Sequence, residues 1–243
     1  MQFKHFAIVA FAAFAFAQGA KAQNLQVFYD FGDGREYVTT TFEMFKADKF
    51  GDTFWFIDHN YNSTNHKNAS YFKGASSAVN ASYFEIERGI NFWQDSKLKD
   101  LSAHIEYDGS TWGAGIWCFG AKYFLHSEDF SKTFTLALMY DLHRGYGEAD
   151  IPVKFSGVWG LNDLFGVKGL VFKGFIDVWG NNAVWGPDDE TKFSVLTEPQ
   201  LWYNLGDVFD GHLDVGTEVE LSVNFAGHKG FMCNPCAGLR WTF

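Results

Sequence analysis

Proline is scarce in this chain, at 4 of 243 residues. A proline inside a sheet removes a ladder donor, so long stretches are left free to pair as strands. Basic residues are also few, with 19 Lys and Arg against 29 Asp and Glu. That balance argues against nucleic acid as a partner, which calls for a basic patch. Outside the N-terminus no stretch reaches the roughly 18 consecutive apolar residues of a membrane helix. Cysteine is limited to Cys118, Cys233 and Cys236. A zinc site at Cys233-Asn234-Pro235-Cys236 would want two further ligands, and His228 supplies only one. A redox dithiol would want a βαβ setting. The remaining readings of this pair are a loop-tip disulfide or two free thiols, and Cys118 reads as a small apolar residue in a strand.

What the chain has in abundance is aromatic residues, 19% of the total, with 28 Phe and 9 Trp. Its C-terminal part shows how they are used. Residues 212–225 alternate between Leu213, Val215, Thr217, Val219, Leu221, Val223, Phe225 and a polar set that includes Asp214, Glu218 and Glu220. Side chains of a strand point to opposite faces at every second residue, so one face is greasy and the other charged. The run exceeds the usual soluble strand of about five or six residues and suits a transmembrane strand of about 9–11. The chain then ends in a second alternating segment, with Ala237, Leu239, Trp241 and Phe243 on one face. An aromatic terminus inside an alternating strand resembles the outer-membrane β-barrels, and Phe243 resembles the signal read by their assembly machinery. A secreted β-sandwich is the plainer alternative.

Residues 1–22 read as a secretory signal peptide. Lys4 and His5 open it, 6–17 form a short apolar run, and Ala20-Lys21-Ala22 is a cleavage signature. Cleavage after Ala22 leaves residues 23–243 as one domain with 17 basic and 29 acidic residues. Alternation and turn residues predict an all-β fold of twelve strands near 24–31, 36–47, 52–61, 78–88, 100–108, 113–125, 131–142, 152–161, 167–179, 191–205, 211–225 and 236–243. Long polar connections at 62–77, 180–190 and 226–235 fall on one side and short turns on the other, as in bacterial barrels. Pro199 falls inside the tenth strand and suggests a bulge there.

In each strand the greasier parity is assigned to lipid. A Lys or Arg at the bilayer midplane costs about 2–4 kcal/mol, so charged residues must take the other parity. Glu43, Asp58, Glu85, Asp141, Asp177 and Glu198 then point inward, with Lys122, Lys154, Lys173 and Arg240 as a basic minority. Two interiors fit: acid–base pairs that zip it shut, or a narrow water path. Twelve strands enclose more room than the eight that side chains just fill, which favours the path. An acidic wall suits cations or neutral polar solutes. Phe54, Phe56, Tyr83, Phe175 and Trp179 also take inward parity. Rings on a wet wall make sense for a solute with flat faces, because stacking one base is worth about 1–3 kcal/mol.

The run Thr41-Phe42-Glu43 through Lys49-Phe50-Gly51-Asp52-Thr53-Phe54-Trp55-Phe56-Ile57-Asp58 resembles the second hairpin of the Tsx-type nucleoside-specific channels. Tyr83-Phe84-Glu85-Ile86-Glu87-Arg88 is similar to the strand that follows in that family. Asn162-Asp163-Leu164-Phe165-Gly166 and Phe175-Ile176-Asp177-Val178-Trp179-Gly180 resemble its ninth strand and the preceding turn. The resemblance covers most of residues 23–243 in order. It implies a monomeric twelve-stranded barrel in the outer membrane of a Gram-negative bacterium, with no cofactor and a narrow aromatic-lined nucleoside path. Carried over by position, Phe31, Phe54, Phe56, Asp58, Glu85, Asp177 and Trp179 would line that path, with Tyr83, Lys173, Phe175 and Arg240 added from their inward parity. The outer loops are shorter than the family's, and the Cys233–Cys236 segment is not a family feature. A closed structural barrel is the second expectation. An outer-membrane hydrolase is the third, weakened because no histidine pairs with a serine in a recognisable motif.

Overall fold

The computed structural model describes residues 23–33, 35–61, 79–111, 115–144 and 149–243. The signal-peptide reading of 1–22 and the predicted loop 62–77 lie outside the described residues. Twelve antiparallel strands form one closed barrel. They are β1 (Gln23–Asp30), β2 (Val38–Asp48), β3 (Gly51–Tyr61), β4 (Val79–Ile90), β5 (Leu101–Ser110) and β6 (Gly115–His126). The second half holds β7 (Lys132–Arg144), β8 (Val153–Leu161), β9 (Leu170–Gly186), β10 in two pieces (Asp189–Thr197 and Gln200–Asn204), β11 (Leu213–Phe225) and β12 (His228–Thr242). Each strand pairs with its chain neighbour. Closure comes from β1 on β12, where Asn24 faces Thr242, Gln26 faces Arg240 and Asp30 faces Cys236. A closed sheet has no free edge, so each strand meets a neighbour on both sides and the outside can meet lipid.

The period-two pattern places the side chains as expected. The outside carries exposed Ile86, Phe119, Leu138 and Leu239. The inside is polar and crowded, with Gln26, His104, Glu106, Asp141, Ser222 and Asn234 all buried. The second piece of β10 resumes with the same register against β9 and β11 as the first. No residue is inserted at Glu198-Pro199, which corrects the expected bulge. Pro199 merely lacks the N–H that would continue the ladder, while its carbonyl still accepts from Val219 N at 3.1 Å.

Two expected loops are strand instead. β9 runs to Gly186 and β10 starts at Asp189, so most of 180–190 is a hairpin extension. β12 starts at His228, so most of 226–235 is strand as well. This removes the loop-tip disulfide. Cys233 is exposed and Cys236 is buried, both are free, and residues three apart on a strand point to opposite faces. The connection between β4 and β5 is long for its side of the barrel, but its own bonds close it. Asn91 Nδ2 donates to Lys99 O at 2.5 Å and Trp93 Nε1 to Leu101 O at 2.8 Å. In the β6–β7 turn the Asp129 carboxylate accepts from Ser127 Oγ at 2.6 Å, Ser131 N at 3.0 Å and Ser131 Oγ at 2.8 Å. The Ser127 bond, followed by those from Ser131, holds its pKa at about 2.

One apolar cluster is built inside the polar lumen. Phe28 and Trp202, from β1 and β10, lie with ring centroids 5.5 Å apart. The two strands between them place Gly216 opposite Trp202 and Gly238 opposite Gly216. A Cβ on Gly216 would sit 2.4 Å from the Trp202 ring, and one on Gly238 would sit 2.6 Å from the Phe28 ring. The glycines make the floor on which the rings rest. Gly216→Val is therefore expected to cost about 1–3 kcal/mol through overpacking, read from urea unfolding of the lipid-reconstituted barrel.

Candidate functional site

β2, β3 and β4 present a common inner surface because their registers align inward residues across the ladder. Glu43 faces Phe56, which faces Glu85; Asp58 faces Tyr83; Phe54 faces Glu87. The rings form a ladder, with Phe54 to Phe56 at 5.9 Å and Phe56 to Tyr83 at 5.7 Å between centroids. Carboxylates stand beside it. Thr41 Oγ1 donates to Asp58 at 2.6 Å, and the Tyr83 hydroxyl donates to Glu85 at 3.2 Å.

Lys173 reaches this surface from β9, on the far side of the barrel. Its Nζ lies 3.3 Å from Glu43 Oε1. Glu43 also accepts from Asn24 Nδ2 at 3.0 Å and Gln26 Nε2 at 3.2 Å. The sheet order places β10, β11, β12 and β1 between β9 and β2 on one side and β3 to β8 on the other. The Lys173–Glu43 pair thus spans the lumen rather than two neighbouring strands. Arg240 stays on its own side, donating from Nε to Asp214 Oδ2 at 2.8 Å and lying 4.7 Å over the Trp202 ring.

A second charged group surrounds Lys154 on β8. Its Nζ is 2.6 Å from Glu106, 3.2 Å from Asp177 and 3.7 Å from Asp108. Near the end that carries the β1–β2 turn, Arg35 grips Glu220 of β11 with two bonds of 2.8 and 2.6 Å and Asp30 with one of 3.1 Å. Burial alone would lower the Arg35 pKa, but the charge of Glu220, with help from its hydrogen bonds and from Asp30, holds it above the ordinary range. Arg35 thus ties the β1–β2 turn to β11.

The predicted residues therefore fall into groups. Phe54, Phe56, Asp58, Tyr83 and Glu85 lie together, and Lys173 approaches them through Glu43. Asp177 belongs with Lys154. Phe175 and Trp179 keep inward parity on β9, opposite Val158 and Lys154, and the ring against Trp179 is Phe225 at 5.8 Å. Arg240 belongs with Trp202. Phe31 is a correction. Asp30 takes the last inward position of β1, so Phe31 falls on the outer side, 57% exposed and 4.9 Å from the ring of outward Tyr29. The inward ring of β1 is Phe28, which the alternation of Asn24, Gln26 and Asp30 with Leu25, Val27 and Tyr29 already marks. A histidine–serine pair was also missed. His59 Nδ1 and Ser82 Oγ are 2.7 Å apart on the outward face, where register sets them side by side. Among the described residues no acid or amide is bonded to the other ring nitrogen of His59, so the orienting group of a catalytic triad is lacking.

Comparison with known proteins agrees with this architecture. One family model matches residues 22–243, that of the domain of unknown function DUF5020. The chain belongs to the DUF5020 family. No curated protein sequence matches it. Among solved structures, the NanC porin is similar to this DUF5020 barrel at 9% identity and a TM-score of 0.56, covering 91% of this chain and 100% of that one. A Salmonella typhi outer membrane phospholipase, solved as a dimer with bound calcium, aligns at 10% identity and a TM-score of 0.49 over 94% of this chain and 93% of that one. Pseudomonas aeruginosa OprD aligns at 12% identity and a TM-score of 0.41 over 91% and 94%. At such identities the NanC likeness shows a shared fold, that of an outer-membrane porin. The Tsx-type likeness of the motifs belongs with the functional proposal.

Proposed function

We propose that this barrel sits in the outer membrane of a Gram-negative bacterium and passes small polar solutes, nucleosides or compounds like them, by diffusion through a narrow lumen. The observation that carries the reading is the ring ladder of Phe54, Phe56 and Tyr83 beside Glu43, Asp58 and Glu85, faced by Lys173. A flat base can stack on such rings while carboxylates and the ammonium bind sugar hydroxyls. The barrel works as a monomer without catalysis or cofactor, after residues 1–22 are removed and the strand ending at Phe243 has engaged the assembly machinery.

Planar-bilayer conductance is the test. Nucleosides are expected to block the current partially. Phe56→Ala should weaken that block roughly tenfold, in keeping with about 1–3 kcal/mol per stacked base. A current indifferent to nucleosides would remove the solute class, and no current at all would remove the channel.

A second reading has its own observation. The Lys173–Glu43 bridge crosses the interior, and Gln26 and Trp202 on the wall beside it are almost fully buried. On that reading the barrel is a closed structural one. Liposome swelling in sugars and nucleosides separates the two, since only an open path admits the solutes.

A further inference from the structure

We infer a binding site for a divalent transition-metal ion, zinc in class, inside the lumen beside Lys154. The site is independent of the nucleoside reading. It is built where β5 and β6 pair, with Glu106 directly opposite Cys118, and Cys118 in turn opposite Asp141 of β7. One oxygen of Glu106, one of Asp108 and the Cys118 sulfur all lie within 4.8 Å of one another. Ligand bonds of about 2.0–2.3 Å to oxygen and sulfur place tetrahedral donors about 3.3–3.6 Å apart, so side-chain rotations that draw the three atoms together complete the set.

The second observation is unmet demand. Asp108 and Asp141 are 7% and 2% exposed, and each has an Oδ1 with no hydrogen-bond partner. Lys154 takes only the other oxygen of Asp108 while it serves Glu106 and Asp177. Among the described residues no other Lys or Arg lies within ion-pair distance of Asp108, and none at all lies within that distance of Asp141. Glu106 also meets His104 Nε2 at 2.9 Å, so Asp108 and Asp141 are the acids left short of partners, and a buried polar oxygen is costly unless hydrogen-bonded or bound to metal. A dication corrects that shortfall. The thiol selects among dications, because sulfur suits zinc and its neighbours better than calcium or magnesium. On binding, Cys118 gives up its proton to solvent and ligates as thiolate. Asp108 and Glu106 are the oxygen ligands, and Asp141 stands beside the sulfur.

The experiment uses the purified, folded barrel in detergent. Zn²⁺ is titrated by calorimetry, and Co²⁺ serves as an absorbing substitute whose sulfur-to-metal charge-transfer band reports thiolate ligation. One equivalent of metal is expected. The band should vanish in Cys118→Ser and persist in Cys233→Ser, which removes the exposed thiol. Asp108→Asn, which keeps the sulfur, should weaken binding by about tenfold or more and provides a second arm if Cys118→Ser does not fold. Absence of binding, a band that survives Cys118→Ser, a band lost in Cys233→Ser, or unchanged affinity in Asp108→Asn would each overturn the assignment.

Discussion

Lys154→Met is expected to destabilise the folded barrel by about 3–5 kcal/mol, the usual cost of orphaning a buried charge partner. The side chain is only 7% exposed, so water does not take over when the ammonium is gone. Its loss leaves Asp177, at 3.2 Å, without its cation and Glu106, at 2.6 Å, with His104 as its one remaining ring partner. Asp108 and Asp141 crowd the same buried region. Methionine keeps most of the volume, so the loss reports charge rather than a cavity. The check is the midpoint of urea unfolding in lipid, followed by intrinsic tryptophan fluorescence. Adding Glu106→Gln should restore part of the loss, because one buried carboxylate is then removed. A Lys154→Met barrel as stable as the parent would show that these acids do not depend on the ammonium.

Opening the bridge across the lumen should have the largest effect on transport. Lys173 and Glu43 meet at 3.3 Å although β9 and β2 are not neighbours in the sheet. Removing one partner alone frees the other charge to swing, whereas Lys173→Ala with Glu43→Ala removes both arms and leaves no unpaired charge. The double variant is expected to raise single-channel conductance at least roughly twofold, since polar side chains at the narrowest point set what passes. Both side chains are about a fifth to a quarter exposed, so the pair is partly wet and the folding cost of the double change should be small. Equal conductance in parent and variant would mean that the narrowest point lies elsewhere, with Arg35 at the mouth the next place to look.

The wall of this barrel was legible in the chain because lipid enforces a strict alternation. The alternate residues Leu213 to Val223, Trp55 with Ile57, and Phe84 with Ile86 take the outward face that their parity marks, whereas Phe225, beyond an irregularity in the register, sets its ring against inward Trp179. The segments at 180–190 and 226–235 were not legible as strand. There Trp185 Nε1 bonds Thr191 Oγ1 at 2.9 Å and Lys229 pairs with Asp189 at 2.5 Å. Polar residues occupy both faces of these extensions, so the period of two carries no contrast of polarity. Phe31 was carried over by position from the family resemblance, while the alternation of β1 puts its parity outward with Leu25, Val27 and Tyr29.

Inward and outward were settled locally along most of the wall, by a two-residue rhythm and the cost of charge in lipid. Which inward groups meet was not. Lys173 and Glu43 stand 130 residues apart, and Arg35 and Glu220 stand 185 apart. Such pairs exist because closing the sheet onto itself brings opposite walls within one side-chain length, a distance set by strand number and tilt rather than by any local pattern. The same closure sets Phe28 over Gly238 and brings it to within ring contact of Trp202, which rests on Gly216 of the next strand.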